Sequence, residues 1–350
     1  MSIPDRENFA FWLNKDGSLS LRELVVPGPP KEGEVLVRVL YSGVNPADTK
    51  HVTLGVHDTV AGYDFCGEVV QAGPNSPFAV GDVIAGATLT KIGRPLFLGA
   101  HQNYLIYQAD GTAFKVPKNM PLYAAACMGV VVRTAADVFF NLLRYPLISE
   151  KTPNPPGALL IWGGTTSIGL SVLQFARAKH VTSIIVVAPP EQFKLLEALG
   201  ADYCFDYNAP NVIDDIKDCA RKLGEPILNV LDAVGSHEAK TAEMAAACGA
   251  NNANVATMTV HPKYQMPFCQ MHVDTTLDVD GFGKITIPKR PKDAERASEA
   301  FLWAIEHYGN GFEFPRITVS TGLSPIALDV VTGHSEGNSL GKRVIAHPIR

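Results

Sequence analysis

A chain of 350 residues is long enough for two domains, and 46% hydrophobic with 19% charged residues indicates a globular protein. The net charge of −5, with no run of basic residues, argues against a surface for nucleic acid. No apolar segment approaches the roughly 20 residues of a membrane span, and Met1–Arg6 does not resemble a secretory signal. We therefore expect no nucleic-acid partner, no membrane association and a cytoplasmic location.

Short β-type runs alternate with Gly and Pro turns from the start of the chain to about Pro121, which predicts an irregular, mostly antiparallel β domain. The runs are Glu34–Tyr41, Gly67–Ala72, Asp82–Ala87 and Tyr104–Tyr107. Six cysteines show no Cys-x-x-Cys spacing, so we expect free, buried or half-buried thiols in a reducing compartment.

Helices and strands alternate from about Ala124 to Thr259, which predicts a doubly wound parallel sheet. The predicted strands are Ala158–Trp162, Ser183–Ala188, Tyr203–Asp206, Leu228–Val234 and Asn254–Thr259. Residues 144–156 are Pro-rich and predict an exposed loop before the first of these strands. From about residue 300 to the end, the sequence no longer shows the regular alternation of helices and strands, and we expect this part to rejoin the β domain. The predicted domains are therefore residues 1–125 with 300–350, and residues 126–299.

A Gly-rich turn follows the apolar strand Ala158–Trp162 and leads into an amphipathic helix. Gly163 and Gly164 allow close backbone approach, and Gly169 allows tight helix–strand contact, although Thr165 departs from the strict glycine pattern. Such a turn presents backbone N–H groups at the positive end of the helix dipole. The pattern predicts a site for the pyrophosphate of a dinucleotide.

The end of the second predicted strand favours NADPH over NADH. NAD sites usually carry a carboxylate there for the ribose 2′-hydroxyl, whereas this strand ends in Ala188 and Pro189. The first acid, Glu191, is predicted to open the next helix. Candidate contacts to a 2′-phosphate are Gln192, Lys194 and Tyr207, of which Lys194 is better explained as a surface residue.

Motifs in family order along nearly the whole chain resemble those of the medium-chain dehydrogenase/reductase superfamily and its quinone oxidoreductases. They are Asn45–Lys50, Gly62–Val70 with Gly73, Val80–Val83, Ala158–Gly169, Leu231–Gly235 and Leu340–Val344. Residues 144–156 and 201–208 resemble a fungal branch that includes trans-acting enoyl reductases. The resemblance implies a GroES-like domain, a Rossmann domain and a cleft between them.

Zinc-dependent members of this superfamily carry Cys at the position of Asn45 and Gly-His-Glu at the position of Gly62-Tyr63-Asp64. Asn and Tyr are poor zinc ligands, and the four-cysteine structural lobe is absent. His51 and His57 lie near this motif but are better explained as surface or hydrogen-bonded residues. We therefore predict no metal.

The resemblance implies three candidate catalytic residues, each with a structural alternative. Lys50 would hold a ribose hydroxyl or a developing oxyanion, or is a solvated lysine. Thr134 would bind the nicotinamide carboxamide, or packs within its helix. Tyr63 would act as an acid, or fills the space left by zinc.

The same resemblance implies a set of cofactor contacts and a segment of the substrate pocket. The contacts are Ala47, Asp48, Thr49, Lys50, Gly163, Gly164, Thr165, Thr166, Ser167, Ile168, Pro189, Asn338 and Ser339. Residues 277–283 are the candidate pocket segment, while the bulky residues and charge at 129–133 disturb the relatives' acyl pocket.

These observations lead to a zinc-independent, NADPH-dependent reductase that transfers hydride to an α,β-unsaturated carbonyl, within fungal secondary metabolism. Conjugate reduction needs hydrogen-bond donors for an enolate and no Lewis acid. The substrate would be a small enone or a carrier-bound enoyl thioester, and a partner synthase is suggested by analogy only. The alternatives are a quinone or aldehyde reductase and an NADPH-binding protein with little turnover.

Overall fold

The computed structural model describes residues 7–108, 112–279, 281, 283–335 and 341–350. Its strands are β1 (Asn8–Leu13), β2 (Leu19–Leu24), β3 (Glu34–Val44), β4 (Thr59–Val60), β5 (Asp64–Ala72), β6 (Val83–Ala87), β7 (Tyr104–Gln108), β8 (Phe114–Lys115), β9 (Ala158–Trp162), β10 (Ile184–Val187), β11 (Tyr203–Phe205), β12 (Ile227–Asp232), β13 (Asn254–Thr257), β14 (Thr275–Val279), β15 (Gly283–Ile287), β16 (Ile317–Thr321) and β17 (Lys342–Ala346). Its α-helices are α1 (Ala47–Lys50), α2 (Leu122–Ala125), α3 (Met128–Ala136), α4 (Ser167–Ala178), α5 (Phe193–Leu199), α6 (Val212–Leu223), α7 (Thr241–Cys248), α8 (Pro291–Glu306) and α9 (Ser324–Ser335).

The chain forms two compact units. The first comprises residues up to Val130, Gln270–Arg290 and Phe314–Arg350, and the second comprises Val131–Cys269 and Pro291–Glu313. The predicted division differs in three segments, because residues 126–130 and 270–290 belong to the first unit and residues 300–313 to the second. No helix in the described part of the chain is long and apolar enough to cross a bilayer.

The first unit is built around a seven-stranded sheet in the order β16-β17-β3-β5-β6-β8, with β7 also paired to β3. All its pairs are antiparallel except β16 with β17. Alternate residues of β3 and its neighbours face one core, which includes Val35, Val37, Phe65, Leu105 and Tyr107. Strands β1, β2 and β4 form a separate small sheet, and β14 pairs with β15 as a hairpin.

The second unit contains a five-stranded parallel sheet in the order β11-β10-β9-β12-β13. This arrangement confirms the predicted α/β class with a parallel sheet. Every residue of β9 is buried, as expected for a central strand covered on both faces. Helix α5 ends where Gly200 adopts a left-handed conformation.

The loop at residues 144–156 has no helix or strand, as predicted, but the prediction that it is exposed was wrong for its first part. Tyr145 is fully buried and stacks on Phe139 with ring centroids 4.2 Å apart. Arg296 of α8 donates to the carbonyl oxygen of Tyr145 at 3.1 Å and to Glu150 Oε1 at 3.1 Å. These contacts hold α8 in the second unit, which explains the revised domain division.

Candidate active site

The Gly-rich turn of the second unit is closed by its own threonine. Gly163 lies at φ +90°, a conformation that favours glycine. The hydroxyl of Thr166 donates to Gly163 O at 2.9 Å and accepts from Gly169 N at 3.0 Å, capping α4. The first turn of α4 leaves the N–H groups of Ser167 and Ile168 without a partner inside the helix. This helix start can therefore bind an anion.

The glycines of this turn are required by close packing. A Cβ at Gly164 would lie 2.1 Å from Val186 Cγ1, and one at Gly169 would lie 2.4 Å from Gly163 O. Because these positions have no side chain, the backbone itself forms the surface of the turn. A backbone cradle before a helix N-terminus fits the pyrophosphate of a dinucleotide.

The end of β10 carries no carboxylate, as the sequence indicates. Pro189 precedes a 3-10 turn at Pro190–Gln192, so Glu191 lies within that turn and not at the start of α5, where it was predicted. Gln192 is buried, whereas Tyr207 is 47% exposed and Lys194 is exposed. Only Tyr207 and Lys194 of the three candidate phosphate contacts are thus open to solvent.

Asp232, at the end of β12, organises the loop that follows it. Its Oδ1 accepts from the N–H groups of Val234 and Gly235 at 3.1 and 3.2 Å. Its Oδ2 accepts from the hydroxyls of Thr241 and Thr257 at 3.0 and 2.8 Å. This fully hydrogen-bonded carboxylate fixes the loop at the carboxyl edge of the sheet, where dinucleotides bind in such folds.

In the first unit, a buried lysine joins the first two motif segments. Lys342 Nζ donates to Asn45 Oδ1 at 2.7 Å and to Val44 O at 2.9 Å, and lies 3.9 Å from Asp64 Oδ2. Asn45 Nδ2 in turn donates to Asp64 Oδ2 at 2.9 Å. Burial raises the pKa of Asp64 to about 6, although the nearby Lys342 ammonium opposes that rise.

A second buried chain of polar groups runs from Asp48 to His347. Asp48 Oδ2 accepts from Asn45 N at 2.7 Å and lies 3.1 Å from His101 Nε2. The hydroxyl of Ser42 links His101 Nδ1 and His347 Nε2, at 2.9 Å from each. Burial, with a smaller contribution from His101, lowers the pKa of His347 to about 3. Together the two clusters place α1 firmly against the sheet.

Tyr63 lies at the centre of a third group. Its hydroxyl is 2.8 Å from His51 Nδ1, and the guanidinium carbon of Arg94 lies 4.6 Å from its ring centroid. Burial lowers the pKa of His51 to about 4, so its imidazole is neutral at neutral pH. Burial also lowers the pKa of Arg94 from its ordinary value.

The segment 47–50 is split between buried and exposed side chains. Asp48 is buried, Ala47 and Thr49 are half-buried, and Lys50 at the end of α1 is exposed.

Thr134 is buried in α3 of the second unit. Arg133 is buried too, and donates to Cys269 O at 3.4 Å and Ser298 Oγ at 3.2 Å. Asn338 and Ser339 lie outside the described residues.

The candidate pocket segment begins in β14, while Asp280 and Phe282 lie outside the described residues. A Cβ at Gly55 would lie 2.8 Å from Asp278 Cβ, so β14 packs on the turn that follows the 3-10 helix His51–Leu54. The structure therefore brings this segment next to the turn at Gly55 that ends the 3-10 helix.

The residues that sequence reasoning assigned no role are Arg94, His101, Asp232, Lys342 and His347. Lys342 and Asp232 stand within recognised motifs, which could have marked them as site residues, whereas nothing in the sequence marked Arg94 or His101.

Among the described residues, no group of three or more His, Cys, Asp and Glu side chains is placed to hold a metal ion. All six cysteines are free, three buried and three half-buried, which confirms that part of the prediction.

Comparison with known proteins agrees with this geometry. The sequence profile of the alcohol dehydrogenase GroES-like domain matches residues 31–118. Trans-enoyl reductase resD of Aspergillus sclerotiorum is 30% identical over 218 residues, which cover 58% of the chain and 60% of that protein. Dehydrogenase orf1 of Aspergillus niger is 31% identical over 244 residues, which cover 67% of the chain and 69% of that protein.

Among solved structures, the CurK enoyl reductase has a TM-score of 0.73 at 16% identity, with 98% of this chain and 100% of that chain covered. At that identity the likeness shows the fold alone. The matched segment spans about three fifths of the length of trans-enoyl reductase resD. The relatives, the GroES-like profile and the shared fold confirm the resemblance seen in the sequence. The chain therefore belongs to the medium-chain dehydrogenase/reductase superfamily.

Proposed function

We propose that the protein is an NADPH-dependent reductase that adds hydride to the β-carbon of an α,β-unsaturated carbonyl, in an enoyl thioester or an enone. The observation that carries the proposal is the 30% identity with a trans-enoyl reductase over 218 residues. The name of the CurK enoyl reductase, which shares the fold, points to the same chemistry.

The dinucleotide would bind through its pyrophosphate at the Gly-rich turn, where Gly163 and Gly164 allow close approach and the first turn of α4 offers the backbone N–H groups of Ser167 and Ile168. Reduced nicotinamide supplies the hydride when it is bound. Strand β10 is followed by Ala188 and Pro189, neither of which has an acidic side chain. This favours the phosphorylated cofactor, since no negative charge there repels a 2′-phosphate. Thr165, exposed Tyr207 and the hydroxyl of Thr134 are the further proposed contacts.

The negative charge that develops on the substrate carbonyl needs a hydrogen-bond donor or a cation. Lys50 is exposed at the end of α1 and is the proposed partner of that charge or of a ribose hydroxyl. We propose that zinc plays no part. Asn45 and Tyr63 stand where zinc-dependent relatives have ligands, and the Lys342 ammonium already occupies the amide oxygen of Asn45.

A substrate panel tests the proposal. Purified protein is mixed with NADPH and, in turn, crotonyl pantetheine, an enone, a quinone and an aldehyde, and absorbance at 340 nm is followed. The proposal requires turnover with the first two and a preference for them over the quinone and the aldehyde. Binding of NADPH without turnover on any substrate would favour a binding protein instead.

Lys50→Ala refines the assignment, with Lys118→Ala as a control at another exposed lysine of the first unit. Loss of a charge-stabilising contact should lower kcat/KM by about 10-fold or more in Lys50→Ala. The control should match the wild type. Equal rates for both variants would remove Lys50 from the mechanism without touching the reaction class.

A further inference from the structure

Two nitrogen-containing side chains, His51 and Arg94, contact the buried phenol of Tyr63. The Tyr63 hydroxyl lies 2.8 Å from His51 Nδ1, and the Arg94 guanidinium faces the ring at 4.6 Å from its centroid. Tyr63 and Arg94 are each 4% exposed, while His51 is half-buried. The group therefore couples a buried hydroxyl to a side chain that reaches solvent.

Arg94 brings a buried positive charge to this group, and the negative charge of Asp48 acts on it in the opposite direction to burial. Its Nη2 donates to Val60 O at 2.6 Å and to Gly62 O at 2.9 Å, on either side of Ala61. None of the described carboxylates forms an ion pair with it, and its Nε has no hydrogen-bond partner in the described part of the chain. A buried cation of this kind stabilises an anion next to it. The phenolate of Tyr63 would be such an anion.

His51 is suited to exchanging a proton with the phenol. Because burial keeps it neutral, its imidazole carries one N–H and one bare nitrogen, and its Nδ1 is already within hydrogen-bond distance of the Tyr63 hydroxyl. With the proton on Nδ1, His51 donates to the phenol oxygen. The phenolic hydrogen then takes no part in the hydrogen bond with His51.

The group of His51, Tyr63 and Arg94 lies near β14, where the candidate substrate segment begins. Strand β14 packs on Gly55, just after the 3-10 helix that begins at His51. The N–H of Ile92, two residues before Arg94, donates to Thr276 O of β14 at 3.4 Å. His51 also directly follows Lys50, the proposed partner of the substrate charge.

We infer that Tyr63 is the acid that protonates the α-carbon after hydride addition, with Arg94 and His51 as positioning residues. The inference rests on the proposed function. Hydride from the reduced dinucleotide forms the new C–H bond at the β-carbon, and the alkene π electrons become those of an enolate. The enolate then takes the Tyr63 proton at its α-carbon, breaking the O–H bond. Water returns a proton to the phenolate through His51.

The competing explanation is that Tyr63 only fills space between β5 and the loop of Arg94. A phenylalanine would fill that space equally well, whereas it would have no hydroxyl for His51 to contact. Tyr63→Phe therefore separates the two explanations. Tyr104→Phe is the matched control, because Tyr104 is a tyrosine of the same unit with the same 4% exposure.

The test uses 2-methylbut-2-enoyl pantetheine and NADPH with the whole protein, because its product is chiral at the α-carbon. Wild type and Tyr104→Phe should give one predominant product epimer. Tyr63→Phe should lower kcat by about 10²-fold with little change in KM. Its product should approach an equal mixture of epimers, since water then protonates the enolate from either face.

Three further variants examine the positioning residues. Arg94→Met and His51→Gln should each lower kcat by about 10-fold without raising KM, and Arg94→Lys should recover part of the loss. A measurement without dinucleotide accompanies them. The alkaline absorbance of the Tyr63 phenolate near 295 nm, taken as a difference from Tyr63→Phe, should appear at higher pH in Arg94→Met.

The outcomes distinguish the two proposals. If the wild type reduces neither enoyl thioesters nor enones, the proposed function fails, and the role of Tyr63 fails with it. If the wild type is active and Tyr63→Phe keeps both its rate and its epimer ratio, only the role of Tyr63 is overturned. An unchanged phenolate absorbance in Arg94→Met would overturn the assignment of Arg94.

Discussion

Lys342 Nζ lies 2.7 Å from Asn45 Oδ1, so a hydrogen bond joins residues that are 297 positions apart. The same ammonium is 3.9 Å from the buried carboxylate of Asp64. Lys342→Met removes one charge of this buried set and leaves Asp64 uncompensated. We expect it to lower the free energy of unfolding in urea by about 3–5 kcal/mol.

A double variant separates the charge effect from lost packing. Lys342→Met combined with Asp64→Asn removes both charges and should recover part of the stability lost in Lys342→Met alone. Lys115→Met serves as the control, because the Lys115 side chain is 58% exposed in its pair with Asp82. Additive losses in the double variant would contradict a coupled pair.

Gly164 should tolerate no side chain unless its neighbour is made smaller. A Cβ there would lie 2.1 Å from Val186 Cγ1, so Gly164→Ala should destabilise the protein by about 1–3 kcal/mol and weaken dinucleotide binding. Val186→Ala in the same chain should restore part of the stability. Gly333→Ala is the control, since its Cβ would meet only the end of the Arg343 side chain.

Pro189→Asp should weaken the binding of NADPH. Pro189 precedes the 3-10 turn in an extended conformation, which aspartate readily adopts before a helical turn. A carboxylate there would repel a 2′-phosphate, raising the Kd for NADPH by about 10-fold relative to Pro189→Asn. Titration by quenching of intrinsic fluorescence measures both affinities. Equal affinities in the two variants would show that position 189 does not approach the 2′-phosphate.

The stability of the protein should fall in mild acid through His347. The pKa of His347 is lowered from 6.5 to about 3 in the folded state, so the unfolded chain binds more protons as pH falls below 6.5. Its contribution is present above pH 6.5 and is lost as pH falls towards 3. Between pH 7 and 5 this should cost at most about 2 kcal/mol. Urea unfolding of His347→Gln should show a smaller loss than wild type over that interval.

The local sequence pattern was sufficient to predict elements that are defined by residues consecutive in the chain. The wholly apolar run Ala158–Trp162 matches β9 residue for residue. Strand β3 instead extends beyond the predicted Tyr41 to Val44, because Ser42 and Gly43 pair with β17. Long-range pairing of this kind leaves no local periodicity to read.

The same limit applies to the candidate site. The turn at Gly163 and Gly164 was predictable because strand, glycines and helix are consecutive in the chain. Arg94 was not, since its importance depends on Tyr63, which lies 31 positions earlier and meets it only in the folded unit. Buried arginines and histidines gain their roles from tertiary neighbours, which composition and spacing do not record.

The placement of β17 beside β3 has a consequence for biosynthesis. Strand β3 is synthesised about 300 residues before Lys342. The ammonium group that contacts Asn45 and lies near Asp64 is therefore added only near the end of translation. Until then the nascent first unit carries an open sheet edge and a buried carboxylate without its cation. Chaperone capture during synthesis should therefore concentrate on this unit, while the parallel sheet β9–β13 can form earlier.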